Sequence, residues 1–157
     1  MQKEKIQEFT RRVSQDNRTS LIVTMYDIML TYLDEAKAAL EAEDREGFKA
    51  GLRHADRVLV QLQDSLNFKY SPADILYALY VYCREELALA MAKQDLTGIG
   101  HAQTVLCGLR GGFAEAAAKD TSGPIMENTQ KVYAGITYGR TQLNENCIDD
   151  THRGFFA

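Results

Sequence analysis

The chain has 157 residues, of which 45% are hydrophobic and 25% charged, and its formal net charge is −4. This length and composition are typical of a single soluble globular domain with a substantial core. The acidic balance argues against nucleic-acid partners and anionic membranes, because both carry negative charge. No run of about 18 apolar residues is present, so we expect no membrane insertion. The three cysteines share no CxxC spacing, which favours a reducing cytoplasm over a disulfide framework.

The N-terminal 18 residues are highly charged and contain no apolar core of the kind that signal peptides have. Ile6, Phe9 and Val13 recur at helical spacing within this segment. We therefore predict that residues 1–18 form an N-terminal arm or a short helix that docks on the rest of the domain.

The segment 21–40 is apolar around most of a helical circumference, and only a thin stripe of it is polar. Such a helix must be covered on several sides, so the remaining chain is expected to supply further helices. The pattern predicts that this long helix begins near Thr19 or Ser20, either of which can cap it, and ends near Glu43.

Two more helices follow with clear start signals. Asp44 is a plausible cap for a helix whose apolar stripe runs from Phe48 to Leu66 in alternating steps of four and three. Ser71-Pro72 predicts the next start, because a capping hydroxyl precedes a proline at the first helical position. This helix is predicted to end between residues 93 and 95.

The fourth long helix is unusually rich in glycine. Gly108 and Gly111 fall with His101 and Thr104 on the face away from the apolar stripe. One interpretation is a weak helix that breaks near Gly111, since interior glycines cost roughly 1 kcal/mol each against alanine. The other is a shallow surface on which another helix can approach closely.

Four long helices with short connections predict an all-α fold, an antiparallel up-down-up-down four-helix bundle over residues 19–120. After a turn at 121–124, apolar residues from Ile125 to Leu143 recur at helical spacing, and the chain then becomes polar. We expect residues 121–157 to form an additional C-terminal helix and a polar tail.

Candidate catalytic and metal sites are sparse in this pattern. No Glu-x-x-His motif is present, so we predict no di-iron site, no other metal and no cofactor. Cys83 and Cys107 lie in helices, where we expect them to be buried as small hydrophobes. His54 with Arg57 leaves open a histidine phosphotransfer bundle, and an adaptor bundle of unknown partner is a further alternative. No residue is predicted to be catalytic, and the chain is not expected to be an enzyme.

Three short motifs together resemble the FliS-type flagellin export chaperones. The family signature Leu-Ile-x-Met-Leu-Tyr-Asp resembles Leu21-Ile22-Val23-Thr24-Met25-Tyr26-Asp27. The end of the family's second long helix resembles Val60-Gln61-Leu62-Gln63-Asp64-Ser65-Leu66-Asn67, and its Leu-Tyr-x-Tyr motif resembles Leu79-Tyr80-Val81-Tyr82. The three motifs occur in the family's order, and the resemblance covers about residues 9–118. Phe113 stands where the family has a tryptophan late in the last bundle helix, and Asn17-Arg18-Thr19-Ser20 replaces its Ser-Pro.

This resemblance implies a cytoplasmic, non-enzymatic chaperone that binds the C-terminal segment of flagellin before export. It also implies that the chaperone prevents early polymerisation and aids delivery to the export apparatus, with a component of the export gate as a further partner. The partner groove is expected between tyrosine-bordered and glycine-lined helices, with these contact residues: Tyr26, Tyr77, Tyr80, Thr104, Gly108 and Gly111. The segment 121–157 either occupies that groove until flagellin displaces it or simply extends the core.

Overall fold

The computed structural model describes residues 2–126, and all the regular secondary structure in that range is helical. The helices are α1 (Lys3–Gln15), α2 (Arg18–Glu41), α3 (Arg45–Asp64), α4 (Pro72–Lys93) and α5 (Thr97–Lys119). The chain divides into two units, Met1–Met126 and Glu127–Ala157, and these helices belong to the first. The predicted C-terminal helix and polar tail fall outside the described residues from position 127 onward.

Helices α2 to α5 form the predicted four-helix bundle. Helix α2 packs against α3 and α5, and α4 packs against the same two helices, so α2 and α4 lie on a diagonal. Each connection between consecutive bundle helices is short, which makes neighbouring helices antiparallel. The all-α up-down-up-down bundle is thus confirmed. Helix α1 is the extra helix, and it packs on α2.

The core draws on one face of each bundle helix. In α2 the buried residues include Tyr26, Met29 and Leu33, whereas Met25, on a neighbouring side of the helix, is half-buried. The predicted stripe of α3 is buried from Phe48 to Leu62. The remaining core residues come from α4 and α5: Tyr80, Cys83, Leu87, Ala90, Ile99, Ala102 and Leu106.

The helix starts correct two of the predicted caps. Asn17, rather than Thr19 or Ser20, caps α2, because its side-chain oxygen accepts a hydrogen bond from the Ser20 amide at 2.8 Å. Asp44 caps α3 as predicted, accepting from the Gly47 amide at 2.9 Å. Ser71 has helical backbone angles (φ −49°, ψ −37°), so its hydroxyl makes no capping bond, although α4 still begins at the proline that follows it.

The chain segments that enter and leave the four-helix bundle are hydrogen-bonded to each other. The Asn17 side-chain amide donates to the Asp120 backbone oxygen at 3.2 Å, and the Thr19 hydroxyl donates to the Asp120 carboxylate at 2.6 Å. The Ile125 amide donates to the Asp16 backbone oxygen at 3.0 Å. Hydrogen bonds from Thr19 and then Ser122 lower the pKa of Asp120. The entry to α2 and the exit from α5 therefore lie side by side.

Candidate partner-binding surface

An exposed apolar row runs along α4. Ile75, Tyr82 and Leu89 are 65%, 41% and 49% exposed, respectively. They are spaced by seven residues, about two helical turns, and therefore share one side of the helix. The core residues of α4, such as Tyr80 and Leu87, lie on another side. Large apolar side chains that recur on one exposed side of a helix are typical of interaction surfaces.

The outward surface of α5 carries little side-chain volume. Gly108, Gly111 and Gly112 are exposed, and a methyl group added at any of them would meet no atom within 4 Å. Thr104 is exposed one turn before Gly108, and its hydroxyl donates back to the Gly100 backbone oxygen at 2.9 Å. Helix α5 continues through Gly111 to Lys119, so the predicted helix break is wrong. What remains is a smooth surface on which a partner's backbone can come close.

The pairing of α4 with α5 places these two features next to each other. The His101 ring nitrogen lies 2.7 Å from the Glu86 carboxylate. Because the helices are antiparallel, residues that precede Glu86 lie beside residues that follow His101, and Tyr82 falls near the turn that leads into Gly108. We call this combined surface the α4–α5 face; its residues are Ile75, Tyr82, Leu89, Thr104, Gly108, Gly111 and Gly112.

A buried glycine sets the separation of α4 and α5. A methyl group at Gly98 would lie only 2.3 Å from the backbone oxygen of Glu86. Any side chain at this position would force the two helix backbones apart, so the close approach requires glycine. The α4–α5 face is therefore built on two helices in tight backbone contact.

Helix α1 is fastened beside α5 through Asp27 on α2. Arg12 donates to one carboxylate oxygen of Asp27 at 2.8 Å, and Arg110 donates to the other at 2.5 Å. Burial tends to raise the pKa of Asp27, but the hydrogen bonds from Arg110 and Arg12 outweigh it, so the pKa lies below its ordinary value. Phe9 contributes the main buried apolar contact of α1. One carboxylate thus joins α1, α2 and α5.

Residues 1–120 match the family model described as "Flagellar protein FliS". This match spans more than half of the chain and includes α1 to α5. The chain belongs to the FliS family. Comparison with curated proteins gives no match. The family confirms the resemblance drawn from the three motifs and implies a chaperone role in flagellar export.

Two of the predicted contact tyrosines of this FliS chain lie in the core. Tyr26 and Tyr80 are 0% and 1% exposed, and their hydroxyl oxygens lie 2.6 Å apart. Burial raises the pKa of both hydroxyls; the hydrogen bond between them adds to the rise for Tyr26 and reduces it for Tyr80. Neither side chain reaches the surface in this structure, and direct contact of either with a partner stays a prediction.

The other predicted residues of this FliS chain divide between two places. Thr104, Gly108 and Gly111 lie together on the α4–α5 face. Tyr77 is 45% exposed but packs edge-on against Phe68, with ring centroids 5.8 Å apart, beside the α3–α4 connection. Sequence reasoning missed Ile75 and Leu89, although their spacing of seven on either side of Tyr82 was a usable signal.

The remaining chemistry of the described FliS residues is limited. No group of three or more metal-ligating side chains occurs between positions 2 and 126, and no helix there is long and apolar enough to cross a membrane. Burial raises the pKa of the Cys83 thiol to about 11, whereas Cys107 is exposed, which overturns its predicted burial. His54 is exposed and stacks on Tyr32 with ring centroids 4.8 Å apart. Family membership favours the chaperone interpretation over phosphotransfer through His54.

Proposed function

We propose that this chain is a cytoplasmic chaperone that binds the C-terminal region of flagellin before export. It prevents premature polymerisation of flagellin and aids delivery to the export apparatus through a component of the export gate. Membership of the FliS family supports this proposal. The observation that carries it furthest is the α4–α5 face, where an exposed apolar row borders a glycine surface.

The physical requirements of such a role fit this face. An export substrate is kept unfolded, so its amphipathic segments need an apolar surface on which to become ordered. A helix that lays its apolar side on Ile75, Tyr82 and Leu89 gains hydrophobic contacts. Its backbone then lies over Gly108 and Gly111, where no side chain holds it away. Coupled folding and binding of this kind typically buries about 1,000–3,000 Å².

Calorimetric titration with a peptide from the C-terminal region of flagellin tests the proposal. Saturable binding with a clearly negative heat-capacity change is expected, because apolar surface leaves water. Tyr82→Glu should weaken binding about tenfold or more, since it places a charge in the apolar row. Tyr70→Glu is the matched control, because Tyr70 is another exposed tyrosine, 68% exposed, outside the α4–α5 face.

Two results would oppose the proposal at different levels. Absence of heat and of co-elution at high concentration would reject flagellin as the partner of the intact chain. Equal weakening by Tyr82→Glu and Tyr70→Glu would reject the α4–α5 face as the contact surface while leaving flagellin as the partner. Circular dichroism of both variants establishes that each is folded before it is titrated.

A further inference from the structure

A row of cationic side chains runs along α3. Arg45, Lys49, Arg53 and Arg57 are spaced by four residues, so successive members are neighbours on the helix surface. All four are exposed or half-buried. Lys49 has a partner in Glu46, whose carboxylate lies 3.4 Å away. Such a concentration of positive charge stands out in a chain whose net charge is −4.

The C-terminal part of this row borders a cleft between α3 and α4. The cleft has a volume of about 510 Å³, which lies within the range typical of ligand sites. Its floor is apolar and includes Leu52, Leu87 and Met91. Arg53 and Arg57 stand on the α3 side of its rim. A hydrophobic surface is thus bordered by guanidinium groups.

Of the three arginines around the cleft, one is paired with a carboxylate of the bundle and two have no such pair within the described residues. Arg84, on the α4 side, donates to the Asp56 carboxylate at 2.6 Å and to the Gln63 side chain at 3.1 Å. The hydrogen bond with Asp56 raises the pKa of Arg84, so this pair is satisfied within the bundle. Within the part of the chain that the structure describes, Arg53 and Arg57 form no ion pair. The rim therefore offers two guanidinium groups to an external anion.

We propose that the α3–α4 cleft binds an acidic amphipathic helix of a second protein. Apolar side chains of that helix enter the cleft over Leu52, Leu87 and Met91. Its flanking carboxylates pair with Arg53 and Arg57, since the planar guanidinium matches a carboxylate with two parallel hydrogen bonds.

The features of the cleft favour this occupant over a bare polyanion. A nucleic acid or a phosphate has no apolar side chains to cover the floor, and the net negative charge of the chain repels a long polyanion. The cleft and the α4–α5 face lie on opposite flanks of α4, so both surfaces can be occupied at once. This binding does not depend on the proposed role in flagellin export.

The probe is a synthetic amphipathic helix with leucines along one side and glutamates on both flanks. Two matched peptides accompany it, one with every glutamate replaced by glutamine and one with every leucine replaced by serine. The full chain is titrated with each by calorimetry. The protein variant is R53E/R57E, and the control is R11E/R18E, which changes the net charge equally at exposed arginines outside the cleft.

We expect the acidic leucine peptide to bind the wild-type chain with an affinity that falls as salt is added. R53E/R57E should weaken this binding about tenfold or more, whereas R11E/R18E should leave it nearly unchanged. Both altered peptides should bind at least about tenfold more weakly than the parent. If charge reversal loosens the bundle by circular dichroism, R53Q/R57Q removes the same charges without introducing repulsion.

Several results would overturn the proposal. Equal affinity of the glutamate and glutamine peptides would show that Arg53 and Arg57 do not pair with carboxylates of the peptide. Binding of heparin or of anionic phospholipid vesicles without binding of the acidic peptide would assign the row to a polyanion or a membrane. Loss of flagellin-peptide binding in R53E/R57E would show that the cleft is part of the flagellin surface, which would overturn the proposal of a second site. Unchanged binding of the flagellin peptide would support two separate sites.

Discussion

The hydroxyl oxygens of Tyr26 and Tyr80 lie 2.6 Å apart in the centre of the bundle and connect α2 to α4 across its diagonal. Both residues belong to motifs through which the sequence resembles FliS proteins. In a core that otherwise consists largely of apolar side chains, one hydroxyl donates to the other, so each has a hydrogen-bond partner. Because a buried polar group without a partner is costly, this pair fixes the alignment of two helices that are not neighbours in the bundle.

Removing one hydroxyl of this pair is expected to destabilise the bundle. Tyr26→Phe leaves the Tyr80 hydroxyl buried without its partner and should lower the free energy of unfolding by about 1–3 kcal/mol. The double variant Tyr26→Phe/Tyr80→Phe should cost less than the sum of the two single changes. Urea denaturation of the four proteins measures the coupling, and strictly additive effects would contradict the pairing.

Loss of the Asp27 charge is expected to release α1. Asp27→Asn removes the ion pairs with Arg12 and Arg110 and should lower the free energy of unfolding by about 1–2 kcal/mol at neutral pH. Limited proteolysis should then cut within α1 faster than in the wild-type chain. Glu85→Gln, at an exposed position in the middle of α4, is the control and should change stability by about 0.5 kcal/mol or less.

The same carboxylate predicts a specific acid sensitivity. The pKa of Asp27 is lower in the folded chain than its ordinary value of 3.8, so its contribution is complete above that value. It is lost as the pH falls through the lower pKa of the folded state. Urea denaturation between neutral pH and strong acid should show this loss in the wild-type chain and a shallower one in Asp27→Asn. Parallel profiles would contradict the assignment.

Replacing Phe113 by the tryptophan that the FliS family has at this place is expected to stabilise the bundle. Phe113 lines a mainly apolar cavity of about 300 Å³, and its ring centroid lies 5.7 Å from that of Tyr26. Phe113→Trp should fill part of this cavity and raise the free energy of unfolding by about 0.5–1.5 kcal/mol. The chain has no other tryptophan, so fluorescence reports directly on this site.

The control for this change is Phe68→Trp, because Phe68 is 57% exposed and does not line this cavity. Its stability should stay within about 0.5 kcal/mol of the wild type. Destabilisation by Phe113→Trp would show that the cavity cannot accept the larger ring.

Alanine substitutions at the exposed glycines of α5 are expected to raise stability and to lower the affinity for the flagellin peptide. Gly108→Ala and Gly111→Ala add a methyl group in open space and should each stabilise the helix by about 1 kcal/mol. The same methyl groups should weaken binding of the flagellin peptide, because they hold the partner's backbone away. Gly123→Ala is the control for binding, since its methyl group also meets no atom within 4 Å and Gly123 lies beyond the C-terminal end of α5. Equal affinities in all three variants would contradict the proposed contact.

Patterns local to one helix were predictable from sequence, whereas relationships between helices were not. The stripe of α3 and the Asp44 cap depend on spacing and side-chain type within a few residues, and both were predicted correctly. The Ser71 cap failed because the backbone before Pro72 is already helical, which residue types do not reveal. Asp27 appeared in the first FliS-like motif, but its ion pairs were not predictable, because its partners lie 15 and 83 residues away along the chain.

The candidate surface shows the same division. Sequence placed Gly108 and Gly111 on the exposed side of α5, and the structure agrees. It could not show which neighbouring helix borders them, because that depends on how α4 and α5 pack. Tyr26 and Tyr80 were predicted as contact residues from their tyrosine character, yet their positions in the packed bundle place both in the core.

The hydrogen bond between Asn17 and Asp120 holds the beginning and the end of the four-helix bundle next to each other. A short polar linker could join these two positions covalently without moving either helix. New termini could then be opened at Lys69, in the exposed connection between α3 and α4. The fold would then be reached by a chain that begins with α4 and ends with α3. The helices would therefore adopt the same arrangement even when they follow one another in a different order along the chain.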